Sequence, residues 1–258
     1  MIYHEVKQNS DEWDHLRCGI PTSSAFDNIV TPAGKPCKAE RSRKYMYRLL
    51  AEWRFGGPLM DPQSQYQSEW MERGHLLESQ AVAAYELMRD CDTQPGGFVT
   101  TDNGLVGCSP DRLVGTDGLL EIKCPSPQVH MGYMVARSMD ETYYPQLQGQ
   151  LLITDRQWVD IVSYSDCPGF PAVIIRVPRD EKYIELLTVA LVEFMGKMMQ
   201  CRVLIEKEYP LKQQGVAATE ESAVGEHGEV EPGHPLGVSD EDVEAILSTQ
   251  ERESEVEF

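Results

Sequence analysis

The chain has 258 residues, 41% of them hydrophobic, and a formal net charge of −19. This composition is sufficient for a globular core, and no apolar run approaches the roughly 18 residues of a membrane-spanning helix. The seven cysteines include no CxxC pair, so a structural zinc or iron–sulfur site is not expected. Irregular cysteine spacing and an N-terminus unlike a signal peptide favour a reduced, cytoplasmic protein.

The negative charge is concentrated at one end of the chain. Residues 213–258 hold 13 acidic residues and one basic residue, so they contribute −12 of the total. Few large apolar side chains occur there, and such a composition predicts a disordered tail. A capping pattern at Ser239 predicts one short helix near 239–249. Residues 35–48 instead hold six basic residues and one acidic residue, which leaves open a polyanion-binding surface or a solvated helix face.

Residues 1–212 are predicted to form a single α/β domain. Apolar residues spaced along one helical face predict five helices, and short segments between turn residues predict six strands. Strands that alternate with helices favour a mixed sheet with helices on both sides. The helices are expected at 39–53, 68–89, 127–137, 142–153 and 180–206, and the strands at 97–100, 105–108, 112–114, 119–123, 158–164 and 172–177.

The stretch 108–123 has the pattern of a catalytic metal site. A turn separates two short strands that should pair as a hairpin and place Asp111 beside Glu121. Alternation along the second strand directs Glu121 and Lys123 to one face and Ile122 to the other. Converging carboxylates suit Mg²⁺, with the Ile122 carbonyl as a candidate third ligand, and Lys123 can orient or deprotonate water. Taken alone, the motif also fits an alternating surface strand.

Four further motifs accompany this hairpin in a defined order along the chain. The five motifs are W-x-x-L-R-x-G-x-x-T-S-S at 13–24, G-H-L-L-E at 74–78, S-P-D at 109–111 with E-I-K-C-P at 121–125, Y-x-x-Q-x-Q at 143–148 and R-D-E-K-Y at 179–183. In this order they resemble the lambda-exonuclease-like (YqaJ-type) viral recombinases of the PD-(D/E)xK nuclease superfamily. The resemblance covers about residues 11–205 and favours the catalytic interpretation of the hairpin.

The resemblance implies roles for residues outside the hairpin. Glu78 would hold a metal ion, directly or through water, and so complete a two-metal site. Arg17 and Ser24 would bind a 5′-terminal phosphate, helped by free N–H groups of a helix that starts near 22–24. Ser109 would bind a scissile or adjacent phosphate. The alternatives are a solvated glutamate, a helix-capping serine and a turn serine.

Two glutamines of the Q-x-Q motif cannot both face the site from one helix, because positions i and i+2 lie on different sides. Gln146 is expected to act in the catalytic site, with Gln150 one turn further on the same side. The position of Gln148 stays open, and polar packing in the core is the alternative for this motif.

The resemblance also implies a restriction-endonuclease-like core and a Mg²⁺-dependent 5′→3′ exonuclease acting on double-stranded DNA ends. Two ions per site, with Mn²⁺ as a substitute, a homotrimeric ring and a single-strand annealing recombinase as partner follow from the same source. The setting would be a bacterial host cell, with a phage or prophage gene. Another DNA nuclease of the superfamily, either an endonuclease or a RecB-like module, and a non-catalytic DNA-binding scaffold are the alternatives.

Two charged segments acquire specific interpretations from this resemblance. Residues 35–48 become a candidate surface for the DNA backbone, with a solvated helix face as the alternative. The acidic tail is expected to keep the protein soluble. Recruitment of the annealing partner, or shielding of the DNA channel by a mimic of DNA, are the alternatives for the tail.

Overall fold

The computed structural model describes residues 1–59 and 69–210, without the side chains of 69–75. The chain divides into two compact units, residues 1–195 and 196–258. The acidic tail, its expected short helix and the expected domain boundary at residue 212 lie outside the described residues. Within the described part, no helix is both long and apolar enough to cross a membrane.

The elements in the described part are six helices, eight strands and two 3-10 turns. The helices are α1 (Asp11–Arg17), α2 (Ala39–Phe55), α3 (Glu69–Arg89), α4 (Pro127–Ala136), α5 (Tyr144–Thr154) and α6 (Glu181–Glu208), and the 3-10 turns are Ser23–Asn28 and Glu141–Tyr143. The strands are β1 (Ile2–His4), β2 (Thr93–Pro95), β3 (Phe98–Thr100), β4 (Gly107–Cys108), β5 (Arg112–Val114), β6 (Gly118–Lys123), β7 (Trp158–Ser163) and β8 (Val173–Pro178).

The central sheet has five strands in the order β2-β5-β6-β7-β8. Strands β6 and β7 are parallel, and their register starts with Gly118 opposite Trp158, whereas the other neighbours are antiparallel. A side chain at Gly118 would place its Cβ 2.2 Å from the Trp158 ring, so this start of the pair requires glycine. A second, small antiparallel sheet has the order β1-β3-β4.

Helices cover both faces of the central sheet. On one face, Ala81 and Tyr85 of α3 pack in an apolar cluster with residues of β6 and β7. On the other face, Leu147 and Leu151 of α5 pack with Ile184 of α6 in a second cluster. The expected mixed α/β architecture is therefore confirmed.

Local signals explain where several elements begin and end. The Ser10 hydroxyl accepts the Trp13 N–H at 3.3 Å and so caps α1. Helix α2 ends at Gly56, whose φ of 77° suits glycine. Within α5, an added Cβ at Gly149 would lie 2.5 Å from the Phe26 ring. Helix α5 therefore packs closely against the 3-10 turn Ser23–Asn28.

The predicted helices and strands occur within three residues of their expected ends. Three short elements, β1, β2 and α1, were not predicted. The helix expected from residues 22–24 onward is wrong as a regular helix, because Ser23–Asn28 forms only a six-residue 3-10 turn. A turn this short has no substantial helix dipole, so side chains would have to bind any phosphate there.

Candidate active site

The β5–β6 hairpin brings Asp111 next to Glu121, as its turn sequence predicts. The backbone N–H of Ile122 donates a hydrogen bond to Asp111 Oδ2 at 2.5 Å. Glu121 and Lys123 share one face of β6, where Lys123 Nζ lies 2.6 Å from Glu121 Oε1. The Ile122 side chain packs in the cluster that contains Tyr85, on the opposite face. Alternation along β6 therefore presents a carboxylate–lysine pair at the surface that α5 covers.

Helix α5 holds the Glu121 carboxylate with two amides. Gln146 Nε2 donates to Oε1 at 2.6 Å, and Gln150 Nε2 donates to Oε2 at 2.7 Å. Because a carboxylate only accepts hydrogen bonds, both amides must point their NH2 groups at it. Gln148 faces elsewhere, where it donates to the Pro178 carbonyl and accepts from the backbone N–H of Asp180. The expected orientation of Gln146 and Gln150 is confirmed, and Gln148 is a buried structural residue.

The electrostatics of the site are dominated by negative charge. Burial raises the pKa of Asp111 well above its usual range, and the neighbouring Glu121 charge raises it further. Burial disfavours the charged form of Lys123, but Glu121 and Asp111 outweigh this effect and raise the pKa of Lys123. Lys123 is thus a firmly protonated counter-charge in this state. A bound cation would favour the ionised form of Asp111, so the site is suited to an additional cation.

Glu78 of α3 lies in the same cleft as Asp111. The cleft has a volume of about 640 Å³ and is also lined by residues 6–9 and 95–97. The negative charge of Glu78 contributes to the raised pKa of Asp111. Among the described side chains, no group of three His, Cys, Asp or Glu residues forms a metal-ligand cluster. Glu78 is therefore near the hairpin carboxylates without being gathered into one ligand set with them.

The residues of the hairpin nevertheless fit a hard divalent cation. Asp111 and Glu121 supply carboxylate oxygens, the ligand type that Mg²⁺ and Mn²⁺ accept. Gln150 Oε1 is buried beside them and makes no hydrogen bond within the described part of the chain. An oxygen in that state marks a place where a further polar group can be bound.

Arg17 forms a second polar centre at the end of α1. Its guanidinium lies 3.8 Å from the centre of the Trp13 ring, and its Nη2 is 3.4 Å from Thr22 Oγ1 and 3.2 Å from Ser24 Oγ. Burial lowers the pKa of Arg17, although Tyr45 and acidic neighbours act in the opposite direction. No acidic side chain of the described residues forms a salt bridge with Arg17. A cation whose hydrogen bonds within the described part of the chain go to hydroxyl groups is well suited to bind an anion.

Ser109 connects this centre to the hairpin. Its hydroxyl oxygen accepts the indole N–H of Trp13 at 2.9 Å, so Trp13 contacts both Arg17 and the residue two positions before Asp111. The hydroxyl hydrogen of Ser109 stays available for a phosphate oxygen. The motif at 13–24 includes Trp13 but does not predict this bridge, because the two residues are 96 positions apart.

Tyr143 lies beside the site and was not among the predicted site residues. Lys123 Nζ lies 4.9 Å from the centre of its ring, at a distance where a cation is attracted to an aromatic face. Its position could have been predicted from the sequence, since Tyr143 lies one helical turn before Gln146. Its ring partly covers Lys123.

The six basic residues of the segment 35–48 fall into two groups. Lys35, Lys38 and Arg43 are exposed and form no salt bridge with any acidic residue of the described part. The other three are bonded to acidic side chains, in the pairs Arg41–Asp27, Lys44–Glu40 and Arg48–Glu52. Only the first group has its full charge available for an anionic ligand.

Comparisons with known proteins agree with this fold and site. The mixed sheet between α3 and α5 is shared with solved exonuclease structures, so the fold is a nuclease fold. The sequence model of the YqaJ-like viral recombinase domain matches residues 12–157, more than half of the chain. The chain therefore belongs to the YqaJ-like viral recombinase family.

Solved structures support the same assignment. The chain is similar to an alkaline exonuclease, LHK-Exo, from Laribacter hongkongensis, with 27% identity and a TM-score of 0.69 over 77% of this chain and 97% of that one. The same values hold for LHK-Exo in complex with dAMP. A phage-related exonuclease from Haemophilus somnus 129PT shares the fold at 14% identity and a TM-score of 0.56, over 72% of this chain and 96% of that one. No curated protein has a significantly similar sequence.

Proposed function

We propose that this protein is a divalent-metal-dependent exonuclease that degrades one strand of linear double-stranded DNA from its 5′ end. The 3′ single-stranded overhangs that remain would enter recombination by strand annealing. The observation that carries the proposal is the presence in one unit of a carboxylate–lysine site and of Arg17, a cation bonded to hydroxyl groups. The first suits phosphodiester hydrolysis, and the second suits the phosphate at a DNA end. The similarity to LHK-Exo, an alkaline exonuclease, supports this activity.

Asp111 and Glu121 would hold the catalytic ion, with the Ile122 carbonyl as a third ligand and Glu78 as a ligand of a second ion. Bound Mg²⁺, or Mn²⁺ in its place, supplies Lewis acidity toward the phosphate and a water of lowered pKa. Lys123 adds positive charge where the phosphate would lie and orients the attacking water. Because its pKa is raised while it is paired with Glu121, its role in the free protein is that of a charged donor.

Gln146 and Gln150 hold the Glu121 carboxylate in one orientation, so its oxygens are already directed when the site is loaded. Gln146 is also the more accessible of the two and can donate to a substrate oxygen. A donor held in this way would lie beside the reacting phosphate and would stabilise the charge that develops in the transition state.

Arg17 and Ser24 would bind the 5′-terminal phosphate, and Ser109 would bind a phosphate nearer the hairpin. The guanidinium is already oriented by the Trp13 ring and by two hydroxyl groups, which limits the entropy lost on binding. A closed circular duplex offers no such terminal phosphate. The proposed enzyme should therefore spare it.

Assembly and partners complete the proposal. Family resemblance supports a homotrimeric ring around the duplex and a single-strand annealing protein as partner. A ring would let a chain of net charge −19 follow DNA, because only its inner wall needs to be positive. The exposed cations Lys35, Lys38 and Arg43 are candidates for backbone contact.

Digestion of end-labelled linear duplexes tests the proposal. With Mg²⁺, label at a phosphorylated 5′ end should be released before label at the 3′ end, and closed circles should survive. Asp111→Ala should abolish cleavage of every substrate. Arg17→Gln should reduce the preference for 5′-phosphorylated ends by at least about 10-fold, because the bidentate donor is lost. Release from 3′ ends first would overturn the polarity, and cleavage of circles would indicate an endonuclease.

A further inference from the structure

The N-terminal segment forms one wall of the cleft that contains Asp111. Residues 6–9 line this cleft together with Glu78. They follow β1, which pairs with β3 in the small sheet, and they precede the Ser10 cap of α1. None of the catalytic or phosphate-binding roles described above explains why this segment lies there.

Gln8 is the residue of this wall whose side chain contacts the segment before β5. Its side-chain Nε2 donates to the Pro110 carbonyl at 2.9 Å and lies 3.5 Å from the Gly97 carbonyl. Gly97 precedes β3 in the small sheet, and Pro110 lies two residues before β5 in the central sheet. One half-buried amide group thus bridges the two sheets at the residue that precedes Asp111.

The peptide groups on both sides of Asp111 are held by such contacts. Gln8 binds the carbonyl of the peptide before it, and the Gly96 N–H donates to the Asp111 carbonyl at 3.2 Å. A Cβ at Gly96 would lie 1.7 Å from the Pro110 oxygen, so the two loops are in closest contact here. The backbone of Asp111 therefore depends on two partners more than ten residues away in sequence.

We infer that Gln8 is a positioning residue that fixes the Asp111 carboxylate for binding a divalent cation. The inference rests on the proposed function of Asp111 as a metal ligand. The NH2 group of Gln8 is directed at carbonyl oxygens and so contacts the backbone beside Asp111, not its carboxylate. It acts through the Pro110–Asp111 peptide, as residues that orient metal ligands commonly do.

The test compares Gln8→Met with the wild type in Mn²⁺ binding, measured by calorimetry on the full chain without DNA. Methionine keeps the length of the side chain but donates no hydrogen bond. The Mn²⁺ dissociation constant should rise about 10-fold, the scale for a lost partner of a metal ligand. On linear duplex DNA, kcat should fall and the Mn²⁺ concentration for half-maximal rate should rise, while KM for DNA stays unchanged.

Two further variants complete the test. Gln157→Met is the matched control, because Gln157 is an exposed glutamine at the entry to β7 and should leave both measurements unchanged. Gln8→Leu also removes the donor without adding a charge to the cleft, so it should weaken Mn²⁺ binding as much as Gln8→Met. It also serves if Gln8→Met fails to fold. Wild-type Mn²⁺ affinity in a folded Gln8 variant, even one with a lowered Tm, would overturn the inference.

The proposed function can fail separately. Asp111→Ala should remove the Mn²⁺ binding of the wild type. If Asp111→Ala binds Mn²⁺ as the wild type does, the metal site is not at Asp111, and both the proposed function and the inference are wrong. If only the Gln8 variants behave like the wild type, the proposed function stands and the inference alone is wrong.

Discussion

Two buried carboxylates lie on neighbouring strands of the central sheet and differ in how their charge is matched. Asp160 of β7 faces α3, where it accepts two hydrogen bonds from Arg176, at 2.8 and 2.9 Å, and one from Tyr85 at 2.8 Å. Arg89 lies 3.6 Å away. Two cations therefore face one carboxylate, and the Arg176 guanidinium is also stacked 3.6 Å from the centre of the Trp158 ring.

Glu121 of β6, on the opposite face, has fewer cations than carboxylates in its surroundings. Its partners are one cation, Lys123, and the neutral amides of Gln146 and Gln150, and a second carboxylate, Asp111, is close by. A buried charge that is fully matched stabilises a fold or costs it little. A buried excess of one sign is a place for a ligand of the other sign. The comparison explains why Glu121, and not Asp160, marks the site.

The sharpest test of this difference is Glu121→Gln, which should reduce the nuclease rate by about 10³-fold, the scale of a lost transition-state stabiliser. The free energy of unfolding should change by no more than about 1 kcal/mol, because repulsion with Asp111 is relieved and Gln150 can turn its unpaired oxygen toward the new amide. Steady-state kinetics and urea unfolding measure the two quantities. A variant that cuts at the wild-type rate would show that Glu121 is not a metal ligand.

Asp160→Ala should have the opposite effect, a loss of stability without a loss of nuclease rate. It leaves Arg176 and Tyr85 without their shared acceptor, so the free energy of unfolding should fall by about 3 kcal/mol, the lower end for a broken buried pair. Both arginines are half exposed, 49% and 41%, which is why the lower end applies. The rate per folded molecule should be retained at low temperature. Arg89→Gln, which removes only the long contact, should cost much less, and equal losses in both variants would contradict this account.

Variants of two glutamines on α5, Gln150 and Gln148, distinguish a residue of the site from a residue of the core within one helix. Gln150→Met should slow cleavage about 10-fold, because Glu121 loses one of the donors that orient it. Gln148→Met should leave the rate unchanged but lower the free energy of unfolding by about 2 kcal/mol, because it removes two buried hydrogen bonds. Kinetics at a temperature where both variants are folded distinguish these outcomes. A slow Gln148→Met enzyme of normal stability would contradict the assignment.

The smallest effect is expected for DNA binding by the basic segment 35–48, which includes the start of α2 and the residues before it. Lys38→Gln should weaken binding of duplex DNA and reduce the slope of log affinity against log salt by about 1, as for one lost phosphate contact. Arg41→Gln should change the slope less, because Arg41 is already paired with Asp27 and donates to Asn28 at 2.9 Å. Fluorescence anisotropy over a salt series, with Ca²⁺ to prevent cleavage, gives both slopes. Identical slopes would favour a solvated surface for the whole segment.

Most of the fold could be predicted from local patterns. The β5–β6 hairpin and the helices carry strong signals, because their apolar spacing extends over many residues or their turns contain glycine. The three-residue strands β1 and β2 contain too few positions for alternation to appear, and they lack the hairpin turns that follow the equally short β3 and β5. The order of the strands in the sheet, and the parallel pairing of β6 with β7, depend on contacts between distant residues that no local pattern records.

The same limit applies to the site. Helical periodicity is sufficient to place Gln146 and Gln150 on one side, and strand alternation is sufficient to pair Glu121 with Lys123. The contacts of Gln8 with Pro110 and of Trp13 with Ser109 join residues about one hundred positions apart. Their side chains are ordinary for their local sequence, so only the folded chain identifies their partners.

The close contact of Gly149 with Phe26 fixes the distance between two parts of the molecule. It joins α5, which carries the glutamines that hold Glu121, to the 3-10 turn that carries Ser24, and the space between them admits no side chain at Gly149. The two cannot slide past each other without unpacking the core. If a terminal phosphate is bound at Ser24 and a bond is cut beside Glu121, the distance between these two residues sets the length of the product. Every cycle must then release a product of the same length.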